Sequence, residues 1–139
     1  MKKNIIKEKN NWIICDAENK ILGRFASKIA LKLMGKDKVN YSPNVVNGSQ
    51  IIIINSKKIK ITGNKLKNKI YYKHTGFPGG LRFNNLSNIL NKNPNFILKN
   101  AVKGMLPKNK LQKILLKRLK IYPNEKHLHI AQQPKNMDL

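Results

Sequence analysis

Four consecutive isoleucines, Ile51 to Ile54, constrain the fold of this chain more than any other feature. Side chains alternate between the two sides of a strand, so an unbroken β-branched run offers water no polar face. A strand of this kind needs cover on both sides, the condition of a central strand in a parallel sheet. The run is also far too short to cross a membrane.

The flanking segments supply the other layers. "WIICDA" (12–17) is a compact strand, "ENK" (18–20) a turn, and the apolar positions 22, 25, 26, 29, 30 and 33 have helical spacing. Gly35 stands where that helix would end. Residues 36–50 are punctuated by Ser-Pro and Asn-Gly and read as loop. "KIKITG" (58–63) alternates like a half-exposed strand, and "KIYYKHTG" (69–76) is a further strand leading into a glycine-rich loop. A short helix follows around 86–92, then a better one in which Asn93 caps, Pro94 takes the first helical position and Gly104 is the stop. A helix over 108–120 places Leu111, Ile114, Leu115 and Leu119 on one face. "KIYP" (120–123) is a last short strand, and the tail beyond it is irregular. Strands alternating with helices make the class α/β, with a small, mainly parallel sheet covered on both faces. Residues 1–11 form a basic arm and 12–139 a single domain.

Charge decides what kind of partner such a domain meets. Lys and Arg number 29 against 6 Asp and Glu, a net charge of +23. A globule so charged repels itself, so a partner is expected to supply negative charge. Nucleic acid is the leading candidate, because phosphate contacts gain from counterion release. A membrane surface would want an amphipathic helix with Trp or Phe on its apolar face, and none is evident. Cationic stripes carry the argument further. Arg24, Lys28 and Lys32 lie four residues apart, and Lys110, Lys113, Lys117 and Lys120 line the far side of the last helix. Like charges at that spacing destabilise an isolated helix by a few tenths of a kcal/mol per pair. With no Glu interspersed, both stripes are read as facing a polyanion. The three arginines, Arg24, Arg82 and Arg118, are the positions where a planar bidentate fork is available.

Enzyme chemistry finds no site. The six carboxylates form no pair, and Asp16, at a strand end, is best read as bonding its own turn. Cys15 is the only cysteine and sits in an apolar strand, which excludes an intramolecular disulfide and favours a core role in a reducing, intracellular setting. Gly23 lies at a helix start but belongs to no phosphate-loop motif, so a packing role is expected for it. His127 and His129 lack the further ligands of a metal site, and contact with nucleic acid is the favoured reading. No cofactor or metal is expected.

The loop "YYKHTGFPGGLRF" (71–83) is too rich in glycine and proline for a core element and too aromatic for an idle linker. Glycines let backbone amides approach phosphate, Lys73, His74 and Arg82 reach phosphates or base edges, and Tyr72 and Phe77 stack on unpaired bases. The alternative is a surface loop whose aromatics pack inward.

"WIICDAENKILGRFAS", "IIIINSKKIKITGNK", "YYKHTGFPGG", "AVKGMLPK" and "HLHIAQQP" stand in this order over residues 12–139. In these strings the chain resembles the bacterial-type large-subunit ribosomal protein thirteen family. The resemblance implies a three-layer α/β/α fold around a four-stranded parallel sheet. It further implies binding to large-subunit ribosomal RNA early in assembly, with other large-subunit proteins as neighbours and the chain a monomer in the ribosome. Messenger RNA binding with translational repression is a secondary role reported for some members. Residues expected at the RNA are Arg24, Lys28, Lys32 and Lys36, then Lys73, His74, Thr75, Gly76, Phe77, Gly79, Gly80 and Arg82 in the loop. Lys103, Lys108, Lys110, Lys113, Lys117, Arg118, Lys120, His127 and His129 complete the set. Two positions depart from the family pattern: Gln112 stands where a glycine is usual, and Phe77 occupies the centre of the loop motif, often His.

Overall fold

The computed structural model describes residues 11–139; apart from Asn11, the expected basic arm lies outside the described residues. Strand β1 (Trp12–Asp16) leads through a turn into helix α1 (Leu22–Met34), and a loop returns to β2 (Gln50–Ile54). A short helix α2 (Lys65–Asn68) precedes strands β3 (Ile70–His74) and β4 (Leu81–Asn85). Helices α3 (Leu86–Lys92), α4 (Pro94–Met105) and α5 (Leu111–Lys117) follow, then β5 (Leu119–Ile121) and β6 (Lys135–Asn136).

Four strands form a parallel sheet in the order β5-β2-β1-β6. The isoleucine run is its centre, with Ile51, Ile52 and Ile53 at 0% exposure. Ile13, Cys15, Ile51, Ile53 and Leu119 share one core with Phe25, Ala26, Ile29, Ala30 and Leu33 of α1, and with Leu98, Val102 and Leu115. Right-handed crossovers from β1 to β2 to β5 put α1, α4 and α5 on that face. The return from β5 to β6 runs the other way, so after residues 122–124, which still bond to the end of β2, the same handedness takes the chain to the opposite face. There Trp12 meets His129 at 5.1 Å between ring centroids. This is the small α/β fold with a four-stranded parallel sheet that the sequence led us to expect.

Several local readings change. "KIKITG" is no strand: residues 56–58 form a single 3-10 turn, and only the bridge from Ile21 to Lys60 remains. Strands β3 and β4 form an antiparallel ribbon separate from the main sheet. The irregular tail contributes β6, held by the Met137 N–H donating to the Ile14 carbonyl at 2.9 Å. Helix α4 starts as expected, with Asn93 Oδ1 accepting from the Phe96 N–H at 3.3 Å, but it passes through Gly104 and is capped at Leu106. Helix α5 stops at Lys117, so Leu119 and Lys120 belong to β5 rather than to a helical face.

The ends of the elements are tied by specific contacts. Gly35 closes α1 in the left-handed conformation. Beside it Gly48 runs so close to α1 that a Cβ there would lie 1.7 Å from the Leu33 carbonyl oxygen. Arg118 donates to the Gly48 carbonyl from the far end of α5. At the other end of the sheet Asp16 Oδ1 accepts from the Glu18 N–H at 2.8 Å, the turn-bonding role expected of it, and from Asn55 Nδ2 at 3.1 Å. Buried Ser56 donates to Asn95 Oδ1 at 2.6 Å, joining β2's exit to α4.

Candidate nucleic-acid interface

The hairpin built by β3 and β4 is exposed at every strand residue but the half-buried Tyr71. Ile70 pairs with Asn85, Tyr71 with Asn84, Tyr72 with Phe83, Lys73 with Arg82 and His74 with Leu81. Directly opposed residues share a face, so the ribbon has two chemistries. One face carries Tyr71, Asn84, Lys73 and Arg82; the other carries Ile70, Tyr72, Leu81 and Phe83, with His74 and Asn85 at its ends. Tyr71 turns toward the body, where its ring meets Phe96 edge-on at 5.9 Å and Lys69 Nζ lies 5.7 Å from the ring centroid. Burial there raises the Tyr71 pKa above its ordinary value. The inward-packing reading of the loop aromatics holds for Tyr71 alone; Tyr72 is 66% exposed and Phe77 75%.

The tip is shaped by its own backbone. Gly76 and Gly79 have φ of +94° and +70°, values that L side chains rarely adopt. The Thr75 N–H donates to the Gly80 carbonyl at 3.0 Å, and the Gly80 N–H to the Phe77 carbonyl at 2.9 Å. A Cβ on Gly80 would stand 2.0 Å from Thr75 Oγ1. His74 Nδ1 accepts from the Gly76 N–H at 2.9 Å. The tip is therefore a tight loop with Phe77 and Pro78 at its apex and a cationic pair, Lys73 and Arg82, on one side of its stem.

No Asp or Glu occurs between Asp37 and Glu125, so the hairpin and α3 to α5 carry cations alone. Arg24 and Lys28 are exposed on α1, Lys36 lies exposed just beyond it, and Lys103, Lys108, Lys110, Lys113 and Lys117 are exposed around α4 and α5. Two members of the expected set are engaged elsewhere. Lys32 is paired with Asp37 at 2.7 Å, so the first stripe is partly neutralised by a carboxylate five residues on. Arg118, bonded to Gly48, has its pKa lowered by desolvation. A third group lies on the other face of the sheet. Lys120 is half-buried in β5; His127 and His129 pack against Tyr122 at 6.4 and 6.1 Å, and the His129 N–H donates to His127 Nδ1 at 3.2 Å.

An open groove of about 480 Å3 lies between the start of α1, the end of α4 and the base of the hairpin. Gly23, Gly104, Lys65, Lys69, Tyr71 and Asn100 are among its lining. Nothing lies within 4 Å of where a Cβ on Gly23 or Gly104 would stand. The packing role expected for Gly23 is thus replaced by open backbone. Lys65 and Lys69 were missed as site residues because neither sits in a stripe or motif; the folding of α2 against the hairpin base brings them here. Gln112 donates from Nε2 to the Lys103 carbonyl at 2.9 Å and the Leu106 carbonyl at 3.3 Å. Its side chain closes the carbonyl end of α4 instead of leaving bare backbone. Cys15 is core as expected, its pKa pushed up to about 12 by burial. Among the described residues no group of three or more His, Cys, Asp or Glu is placed to hold a metal, and no helix is long and apolar enough to cross a membrane.

Comparison with known proteins matches this arrangement to a family. The model of the family described as "Ribosomal protein L13" covers residues 10–128. The chain is 53% identical over 131 residues to the large ribosomal subunit protein uL13 of Baumannia cicadellinicola, covering 94% of this chain and 92% of that protein. It is 51% identical over 137 residues to the protein of the same name from Wigglesworthia glossinidia brevipalpis, covering 99% and 95%. A third, from Pseudoalteromonas translucida, is 48% identical over 131 residues, covering 94% and 92%. With the match spanning most of the chain, and the strand, loop and helix strings in the places the fold requires, this chain belongs to the ribosomal protein L13 family.

Proposed function

We propose that this chain is a structural, non-enzymatic constituent of the large ribosomal subunit and that it binds large-subunit ribosomal RNA early in assembly as a monomer. The observation that carries the RNA contact is the hairpin tip: a tight glycine loop projecting from the body, with Lys73 opposite Arg82 on its stem and no carboxylate in the surrounding sequence. In that position two cations flank a tight exposed loop, which suits a phosphate backbone better than a small substrate. The open groove with Gly23, Gly104, Lys65 and Lys69 continues the same surface toward α1, where Arg24 and Lys28 extend it. Residues 12–139 act in this reading as one RNA-binding unit. Lys120, His127 and His129 would meet RNA only where it reaches the opposite face of the sheet.

The test is binding of the full chain to large-subunit ribosomal RNA across salt. For six to ten phosphate contacts on duplex DNA, affinity falls roughly 10³–10⁵-fold between about 50 and 200 mM salt. A steep fall of the same kind, shallower on folded RNA, is expected; near-constant affinity over that range contradicts the reading. A messenger RNA would use the same cationic surface, and competition by ribosomal RNA in the same titration measures its share.

A further inference from the structure

The hairpin's second face carries neither of its two cations, Lys73 and Arg82. Tyr72 and Phe83 lie directly opposite each other at 66% and 67% exposure, flanked by Leu81 at 57% and Ile70 at 37%. Aromatic side chains bury about 150–250 Å2 each when covered, so the four residues make an apolar patch on the order of 400 Å2. A patch of that size is in the range of the largest apolar patch on a typical monomer, which is often functional. A two-stranded ribbon left uncovered on this side is also marginal in water.

We infer that this face docks against an uncharged, apolar surface of a neighbouring large-subunit protein, while the opposite face and the tip engage RNA. Charge placement separates the two. Platforms that stack unpaired bases set aromatics within a positively charged groove, since each base brings its phosphate. Here the hairpin's cations, Lys73 and Arg82, are both on the other face. The one titratable ring sharing the apolar face besides Tyr72 is His74, whose Nδ1 is occupied by the Gly76 N–H. Leu81 and Ile70 offer no π surface. Size excludes a second copy of this chain as a free dimer, because a stable interface buries about 800 Å2 per partner. A patch half as large suffices for a neighbour already held nearby on the same RNA, where the effective concentration is high. This docking rests on membership of the large subunit and not on the hairpin's RNA contacts.

Site-specific photocrosslinking in purified large subunits tests it. The full chain carries p-benzoylphenylalanine in place of Phe83, in place of Leu81 as a second position on the same face, or in place of Arg82 on the other. The expected result is a ribonuclease-resistant adduct from Phe83 or Leu81 to a large-subunit protein identified by mass spectrometry, and an RNA adduct from Arg82. Adducts from the Phe83 and Leu81 positions to RNA, to a second copy of this chain, or to nothing in subunits that contain the variant overturn the inference. Protein adducts from that face together with no RNA adduct from Arg82 would uphold it and instead count against RNA binding by the hairpin.

Discussion

His74 and Gly76 are joined by a hydrogen bond from the Gly76 N–H to His74 Nδ1 at 2.9 Å, so this histidine builds the loop it was expected to arm. With Nδ1 accepting this bond, Nε2 is the one ring nitrogen left to meet a partner. His74→Ala should loosen residues 75–80 by about 0.5–1.5 kcal/mol locally. Hydrogen exchange of the Gly76 amide should accelerate in this variant and stay close to wild type in His74→Asn, whose side chain keeps an acceptor. Equal exchange in all three proteins would show that the ring does not shape the loop.

The glycines at the tip give a sharper contrast. Gly79 has φ of +70° in open space, whereas a Cβ on Gly80 would overlap Thr75 Oγ1 at 2.0 Å. Gly79→Val strains the backbone by about 1–3 kcal/mol, and Gly80→Val must break the turn. Since neither loop residue touches the core, both variants should unfold thermally much as wild type does. Binding to large-subunit RNA and incorporation into subunits should weaken in both, and more mildly in Arg82→Ala. Wild-type incorporation of both glycine variants would remove the loop from the interface.

Gly48 is where the fold itself is least tolerant. The Leu33 carbonyl lies 1.7 Å from the place of a Cβ, and backbone on both sides leaves little room to relax. Gly48→Ala should lower stability by at least about 1–3 kcal/mol, the range for overpacking, measured by chemical denaturation. It should also disturb the hydrogen bond that the Gly48 carbonyl accepts from Arg118. Stability equal to wild type would mean that the loop over 36–50 can move off α1.

Cys15 makes a pH-dependent test of the core. Burial raises its pKa from 9.0 to about 12. A folded value above the unfolded one means that this thiol's contribution to stability is fully present below about pH 9 and is lost as pH rises toward 12. The thiol should react with thiol reagents at pH 8 only at the rate of global unfolding, and rapidly in denaturant. Fast reaction of the native protein would place it outside the core.

The sequence was most informative where one physical requirement dominated. Ile51–Ile54 had to be a central strand, the 3.6-residue spacing from Leu22 had to be a helix, and Asn93-Pro94 had to begin one; each is found. It was silent where partners distant in sequence decide. "LRFNN" shows no alternation toward a core because no core covers β4, and its pairing with β3 depends on the turn between them. The two residues of β6 carry no pattern; β1 recruits them through backbone bonds. "KIKITG" alternates well, yet it pairs only through the single bridge from Ile21 to Lys60. Among the site residues, exposed Arg24 and Lys28 on α1 and Lys113 and Lys117 on α5 were legible from spacing. The move of Lys120 into β5 and the diversions of Lys32 to Asp37 and Arg118 to Gly48 were not. Both diversions are contacts of folded geometry, one reaching beyond the first turn and the other 70 residues away.

The central claim is that the β3–β4 tip and the cationic surface beside it meet large-subunit RNA. The structure of this chain in place on its own large ribosomal subunit tests that most directly. Residues 74–80 and the Lys73 and Arg82 side chains are expected within hydrogen-bonding distance of RNA phosphates, with Arg24 and Lys28 on the same RNA-facing side. A tip that projects into solvent or meets only protein, with RNA lying elsewhere on the chain, would contradict it.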